Sequence, residues 1–257
     1  MEGLEDVLKF INPLELPAWA FMCAGIGKFA AEELLNVILL HGLGLLGHSK
    51  LPSREPKPIS KGLEFLQLRD FTFLFINQGV ELVFLFHLFK FGLSLPRDWE
   101  DLTLSNTIVA FYATALLDDL IYYCFHRLLH VPLLYPYIHK HHHRQSLPTR
   151  GYVDAANENP IEQIGGLLCV WISLQLLLPI TGFHAITLFA FFAMYAVLAF
   201  LNHTPFDVQL GFYGLNYTVR AHETHHRMLR GNYAQNTMVW DKLFGTFIEY
   251  PTRKLDE

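Results

Sequence analysis

The chain has 257 residues, of which 52% are hydrophobic and only 17% charged, and its mean hydropathy is +0.25. Soluble domains carry about 25% charge, so this composition excludes a disordered chain and disfavours an ordinary soluble enzyme. A net charge of −5 gives no electrostatic case for binding nucleic acid.

Taken in chain order, the acidic start Met1–Asp6 has no basic region ahead of an apolar run, so no signal peptide is expected. A first apolar stretch, 16–46, is interrupted by Lys28, Glu32 and Glu33 and reads as one span or a re-entrant pair. A basic loop, 47–70, carries Lys50, Arg54, Lys57, Lys61 and Arg69. The second stretch, 71–95, contains Glu81 and Lys90, and the loop 96–101 is net acidic. The third, 104–125, contains Asp118 and Asp119. Basic residues return over 127–150. Residues 163–206 then hold no Asp, Glu, Lys or Arg over 44 positions, where one helical span needs about 20. Pro179-Ile180-Thr181-Gly182 breaks that run into helices expected at 164–179 and 183–202. A last basic segment covers 220–230.

The expected fold is therefore all-α. It is a polytopic integral membrane helical bundle of about four to five spans with a histidine-rich cap. The positive-inside rule places 47–70, 127–160 and the C-terminal part in the cytosol. Asn202-His203-Thr204 and Asn216-Tyr217-Thr218 match the glycosylation pattern, yet this topology keeps both from modification. The acidic residues inside apolar stretches cost roughly 2.5–3.5 kcal/mol each at a helix centre in lipid, so such groups face a bundle interior and mark function. Glu32, Glu33 and Glu81 have a local alternative, pairing with Lys28 and Lys90. Cys23, Cys124 and Cys169 lie far apart and suit neither a disulfide framework nor a thiolate metal site; they read as small buried apolar residues.

Ten of the 14 histidines fall at 126–143, 203 and 222–226, each after an apolar span and on one membrane side. His126 and His130 are spaced i, i+4, so two imidazoles can reach one metal from a helix face. His139, His142 and His143 are spaced i, i+3, i+4, and His222, His225 and His226 repeat that spacing; His141 falls on another face. Eight imidazoles exceed what one zinc takes and suit two metals of higher coordination number. Imidazole also suits Fe, Zn, Cu and Ni, so ligand type alone does not choose iron. His222-Glu223-Thr224-His225-His226 also contains the H-E-x-x-H pattern of zinc metalloproteases. An intramembrane zinc protease is thus one alternative, although it leaves six of these histidines without a role. A non-catalytic metal-binding membrane protein is another.

In their order and spacing these clusters resemble the fatty acid hydroxylase and sterol desaturase superfamily, which carries H-x-x-x-H, H-x-x-H-H and H-x-x-H-H with a hydrophobic hairpin between the second and third. The segments Gly231-Asn232-Tyr233-Ala234 and Trp240-Asp241-Lys242-Leu243-Phe244-Gly245-Thr246 extend the resemblance, which covers roughly 105–250. One domain, 1–257, is expected, with 1–104 supplying N-terminal spans and the basic loop and 105–250 the catalytic region. The resemblance implies an oxygen-dependent di-iron oxidoreductase that hydroxylates or desaturates a lipid, although zinc could occupy the site in a preparation. It implies metal ligation by His126, His130, His139, His142, His143, His222, His225 and His226, and by His203 just after the hairpin. His41, His48, His87, His141 and His184 match no motif and are expected to be structural or solvated. Asn159 stands before Pro160 where many members have His.

Imidazoles leave the metal charge uncompensated, so acidic groups behind the ligands are expected. Asp118 and Asp119 precede His126 by eight and seven residues, which places at least one near its face. Glu162 and Asp241 occupy family-like positions, and Asp154 and Glu158 are further candidates. The chain has no dinucleotide or flavin fingerprint, so electrons must come from NAD(P)H through a separate reductase or cytochrome b5. Such a donor could dock on Arg127, Lys140, Arg144, Arg227 and Arg230. The lipid substrate would come from the bilayer, and the endoplasmic reticulum with the site facing the cytosol is the expected location.

Overall fold

The computed structural model describes residues 12–51, 67–144, 148–212 and 215–251, without the side chains of Phe212 and Leu215. The N-terminal Met1–Asp6 segment and the basic-loop residues Arg54, Lys57 and Lys61 lie outside them. Five long helices follow the apolar stretches: α1 (Ala18–Leu45), α2 (Leu68–Leu93), α3 (Ala110–Leu129), α5 (Pro160–Thr181) and α6 (Ala185–Asn202). Short helices α4 (Tyr152–Ala155), α7 (Val219–Met228) and α8 (Val239–Leu243) belong to the cap. Strands β1 (Gln209–Phe212) and β2 (Leu215–Thr218) form an antiparallel hairpin in register Gln209↔Thr218, adding strand to an otherwise helical chain.

Four of the helical segments, Leu68–Leu93, Ser105–Leu129, Pro160–Thr181 and Ala185–Asn202, are long and apolar enough to cross a membrane. The segment at Ser105 opens with a π-helical turn, Ser105–Val109, before α3 proper. Helix α1 is one continuous helix of 28 residues and not a re-entrant pair. Its charges are turned inward: Lys28 Nζ meets Glu32 Oε1 at 2.7 Å and pairs with Glu81 of α2. This is the local pairing anticipated for Glu32 and Glu81; Lys90 is exposed. The hairpin of α5 and α6 runs as read, although α5 carries Pro179 inside its last turn and ends at Gly182 with φ +67°.

Leu88, Val170, Leu174, Leu188 and Phe191, from α2, α5 and α6, form the main apolar core together with Ala110 and Ala115 of α3. Helices α3 and α5 approach closely because residue 165 is glycine; a Cβ there would collide with the ring of Phe125. Trp19, Leu68, Phe71, Ile164, Leu176 and Ile180 are exposed on the outside, an apolar girdle suited to lipid contact. Cys23 and Cys124 belong to this exposed surface and correct the expectation that all three cysteines are buried; Cys169 alone is.

The two ends of the bundle differ. At one end the α5–α6 turn is held against the 94–106 segment, with His184 N donating to Asn106 O and Ala185 N to Pro96 O. At the other end Gly151 N donates to His203 O and Leu51 N to Pro205 O. A second apolar cluster, including Leu43, Leu198, Leu201, Val208 and Val219, seats the cap there.

Candidate metal centre

Nine histidines converge at the capped end in two groups. His126, His130, His139, His143 and His225 form one, and His142, His203, His222 and His226 the other; within each group the ligand atoms lie within 4.8 Å of one another. His126 sits in the last turn of α3, and His130 caps that helix. Hydrogen-bonded turns carry the chain back so that His139 and His143 face them. His203 caps α6, and α7 supplies His222, His225 and His226. Helix α7 begins where Thr218 accepts a hydrogen bond from Arg220 N.

Each H-x-x-H-H cluster divides between the two groups. His222 and His226 go to one group and His225 to the other; His139 and His143 go to one and His142 to the other. Helical geometry accounts for α7: residues four apart differ by about 40° around the axis, whereas i+3 and i+4 differ by about 100°. The expectation of one shared face per cluster is thus corrected to one cluster serving both centres. The groups adjoin, with ring centroids of His143 and His226 4.6 Å apart.

Backbone carbonyls decide the tautomers. His126 Nδ1 donates to Tyr233 O at 2.8 Å, His225 Nδ1 to Gly231 O at 2.7 Å and His203 Nδ1 to Ala199 O at 2.9 Å. His139 Nδ1 donates to Glu162 Oε1 at 2.6 Å. A neutral imidazole has one N–H, so the Nε2 atoms of these rings carry lone pairs. Yet His126 Nε2 stands 2.9 Å from His139 Nε2, and His143 Nε2 is 2.8 Å from the same atom. In the second group His222 Nε2 lies 3.1 Å from His203 Nε2 and 3.0 Å from His226 Nε2. Between His126 and His139 the lone pairs face each other with no proton to share. A cation resolves that repulsion, and two nitrogens about 2.1 Å from one cation at right angles stand about 3 Å apart. Burial pushes the imidazoles toward the neutral, ligating form: His130 falls to about 4 and His143 to about 2, and His139, His225 and His226 shift the same way.

The anticipated acidic groups take unequal positions. Glu162 touches a candidate ligand directly, through His139. Asp241 accepts from Tyr233 N and Ala234 N, both at 2.8 Å, and from Thr246 Oγ1 at 2.7 Å. It therefore fixes the loop whose Tyr233 carbonyl holds His126. Asp119 anchors the same loop, accepting from Gln235 N, Asn236 N and Thr237 N. Asp118 corrects the expectation: it is buried, and among the described residues neither oxygen has a hydrogen-bond partner and it supports no histidine. Asp154 instead binds Arg150 and the amides of Thr149 and Arg150. Glu158 lies within reach of His142 and Glu162; burial and the neighbouring Glu81 charge push its carboxyl up to about 8.

His141, next to two candidate ligands, points away as expected. It accepts from Arg69 Nε at 3.1 Å and donates to Asn157 Oδ1 at 2.9 Å. His184 caps α6 at the far end, while His41, His48 and His87 are exposed. Of the basic residues proposed for docking, Arg144 is committed internally to buried Asp70, and Arg127, Lys140 and Arg230 remain exposed.

Residues 111–246 match the fatty acid hydroxylase family. The chain belongs to that family. Methylsterol monooxygenase 1 of Rattus norvegicus is 27% identical over 95% of this chain and 88% of its own length. The Delta(7)-sterol 5(6)-desaturase of Leptosphaeria maculans is 30% identical over 59% of this chain and 39% of its own length. The very-long-chain aldehyde decarbonylase GL1-8 of Oryza sativa subsp. indica is 27% identical over 92% of this chain and 90% of its own length. No solved structure matches the chain.

The histidine clusters that mark this fatty acid hydroxylase chain border a cavity of about 220 Å³ within the bundle. His142, His203 and His222 line it together with Phe84, Leu85 and Phe192. The H-E-x-x-H pair His222 and His226 does share a centre, but with His142 and His203 as well; a catalytic zinc keeps three protein ligands and an open position. Sequence reasoning missed the carbonyls of Ala199, Tyr233 and Gly231, because a backbone acceptor leaves no side-chain signal.

Proposed function

We propose that this protein is a membrane-bound di-iron, O2-dependent oxidoreductase that hydroxylates or desaturates a lipid of sterol or long-chain acyl type. The observation that carries the proposal is the pair of imidazole groups whose Nε2 lone pairs converge beside a cavity lined in large part by apolar side chains. The sterol monooxygenase, sterol desaturase and aldehyde decarbonylase names of the relatives support a lipid substrate.

His126, His130, His139, His143 and His225 would hold one iron, and His142, His203, His222 and His226 the other. Bound iron supplies what side chains lack, activation of dioxygen for attack on an unactivated C–H bond. The chain itself keeps the imidazoles neutral and orients His139 through Glu162 and His126 through the loop held by Asp241. The apolar wall excludes water and aligns the lipid. Electrons come from NAD(P)H through a separate reductase or cytochrome b5, docking near exposed Arg127, Lys140 and Arg230. The basic segments of the sequence support an orientation with the site toward the cytosol, and the sterol-acting relatives support an endoplasmic reticulum location.

Purified protein should carry two iron ions per chain, and membranes holding it should yield lipids changed by +16 or −2 mass units relative to a His225→Ala control. One zinc per chain with no lipid product overturns the proposal.

A further inference from the structure

The cavity has a polar wall that the oxidation chemistry does not use. Glu32, Glu81, Tyr152 and Gln163 line it alongside the apolar residues. These groups join into one network between α1, α2 and α5. Lys28 Nζ donates to both Glu32 oxygens and to Gln78 Oε1 at 3.1 Å. Lys28 also pairs with Glu81. Gln163 Nε2 donates to Glu81 Oε1 at 3.1 Å, and Gln78 Nε2 donates to the Tyr152 hydroxyl.

A helix bundle has a cheaper way to hold α1 on α2 inside a membrane, namely apolar packing; ionic groups at that depth are costly and mark function. The network places two carboxylates around one ammonium, so its acceptor capacity and its charge both exceed what Lys28 supplies. Each carboxylate oxygen offers about two lone-pair sites, and Glu81 Oε1 receives one donor in Gln163. A guest meeting this wall is favoured if it donates a hydrogen bond. It is disfavoured if it brings negative charge, because like charges in a site of low dielectric repel. Phe84, Leu85, Leu167 and Phe192 give the rest of the lining apolar surface for a hydrocarbon segment.

We infer that the Glu81–Gln163 wall of the cavity is a head-group subsite that selects lipid alcohols over lipid carboxylates and over hydrocarbons lacking the hydroxyl. The alcohol hydroxyl donates to Glu81 and accepts from the Gln163 amide, while Lys28, itself held by Glu32, keeps Glu81 in place. Gln163 and Glu81 thereby act as specificity residues of the cavity. The inference rests on the reading of the chain as a lipid oxidoreductase.

The test is binding of defined probes to the full-length protein in detergent, read by native mass spectrometry alongside metal content. One set is octadecanol, octadecane, octadecanoic acid and octadecylamine; the other is cholesterol, its 3-deoxy analogue and cholesteryl hemisuccinate. In at least one set the alcohol should outcompete its deoxy and carboxylate partners roughly tenfold or more, as expected for a hydrogen bond to a charged group. Gln163→Leu leaves the Lys28 ion pairs intact and should cut that preference severalfold, and Glu81→Gln should weaken it further; in both variants metal content should equal that of the wild type. Equal binding of alcohol and deoxy probe overturns the inference, as does preference for the acid, or for octadecylamine over octadecanol. A preference that survives Gln163→Leu and Glu81→Gln unchanged overturns it as well. Because metal content is read in the same samples, a protein with two iron ions but no alcohol preference refutes the subsite alone, whereas a protein without the metal pair refutes the oxidoreductase reading.

Discussion

Replacing Glu162 by Ala removes the carboxylate that receives His139 Nδ1–H at 2.6 Å in a fully buried setting. Two consequences follow from that one contact. The imidazole loses the partner that fixes its tautomer and aims Nε2 at the other ligands, and a buried N–H loses its acceptor. A hydrogen bond to a charged group contributes about 1.5–3 kcal/mol, equivalent to roughly 10–150-fold in affinity. That agrees with the roughly 10–100-fold measured for groups supporting metal ligands in general. Iron affinity of the five-histidine group should therefore fall 10–100-fold, while the four-histidine group keeps its ion. Glu162→Gln, which retains a neutral acceptor, should lose less. Chelator competition with metal analysis measures both ions in one titration. Asp118→Asn is the control, because Asp118 is equally buried in the same membrane region yet touches no histidine. Equal loss in Asp118→Asn and Glu162→Ala, or unchanged affinity in Glu162→Ala, would refute the argument that this contact aims His139.

His142→Ala should leave about one metal ion per chain, whereas His141→Ala should keep two and lower thermal stability, since His141 bridges Arg69 and Asn157; the same metal analysis and a melting curve separate these neighbours. Gly231→Ala forces a side chain onto a residue with φ +67° and places its Cβ 2.5 Å from Thr246 O, so it should cost about 1–3 kcal/mol and disturb His225, seen as a lower melting temperature together with metal loss. For metal-free protein, His130 at about 4 and His143 at about 2 lie below the ordinary value of 6.5. The unfolded chain binds more protons below that value, so stability should be full above pH 6.5 and decline as pH falls toward 4; a melting temperature that rises on acidification contradicts the burial of these rings.

Much of the site was legible because periodicity and spacing are local properties. The charge-free run of 163–206 has the length of a helical pair, and the spaced histidines mark the residues that converge, although each cluster divides between two groups and does not share one face. The carboxylates were harder. Asp118 and Asp119 are adjacent in sequence and project about 100° apart on α3; Asp119 meets the 235–237 amides, and Asp118 has no hydrogen-bond partner among the described residues. Composition cannot distinguish them, because the partner lies more than a hundred residues away. Arg144 likewise reads as a surface cation until Asp70 is found beside it.

The sequence by itself determined the membrane bundle and that the spaced histidines gather at one end of it. Tertiary structure decided how they are shared: each H-x-x-H-H cluster serves both groups, in α7 because about 100° of helical rotation separates its last two members and at 139–143 because the chain there follows turns and a short 3-10 turn. It also decided the tautomers, through the carbonyls of Ala199, Tyr233 and Gly231. The physical reason is the same throughout. Hydrophobic length and helical period are carried by neighbouring residues, whereas a lone pair is aimed by whatever distant group the fold brings against the other side of the ring.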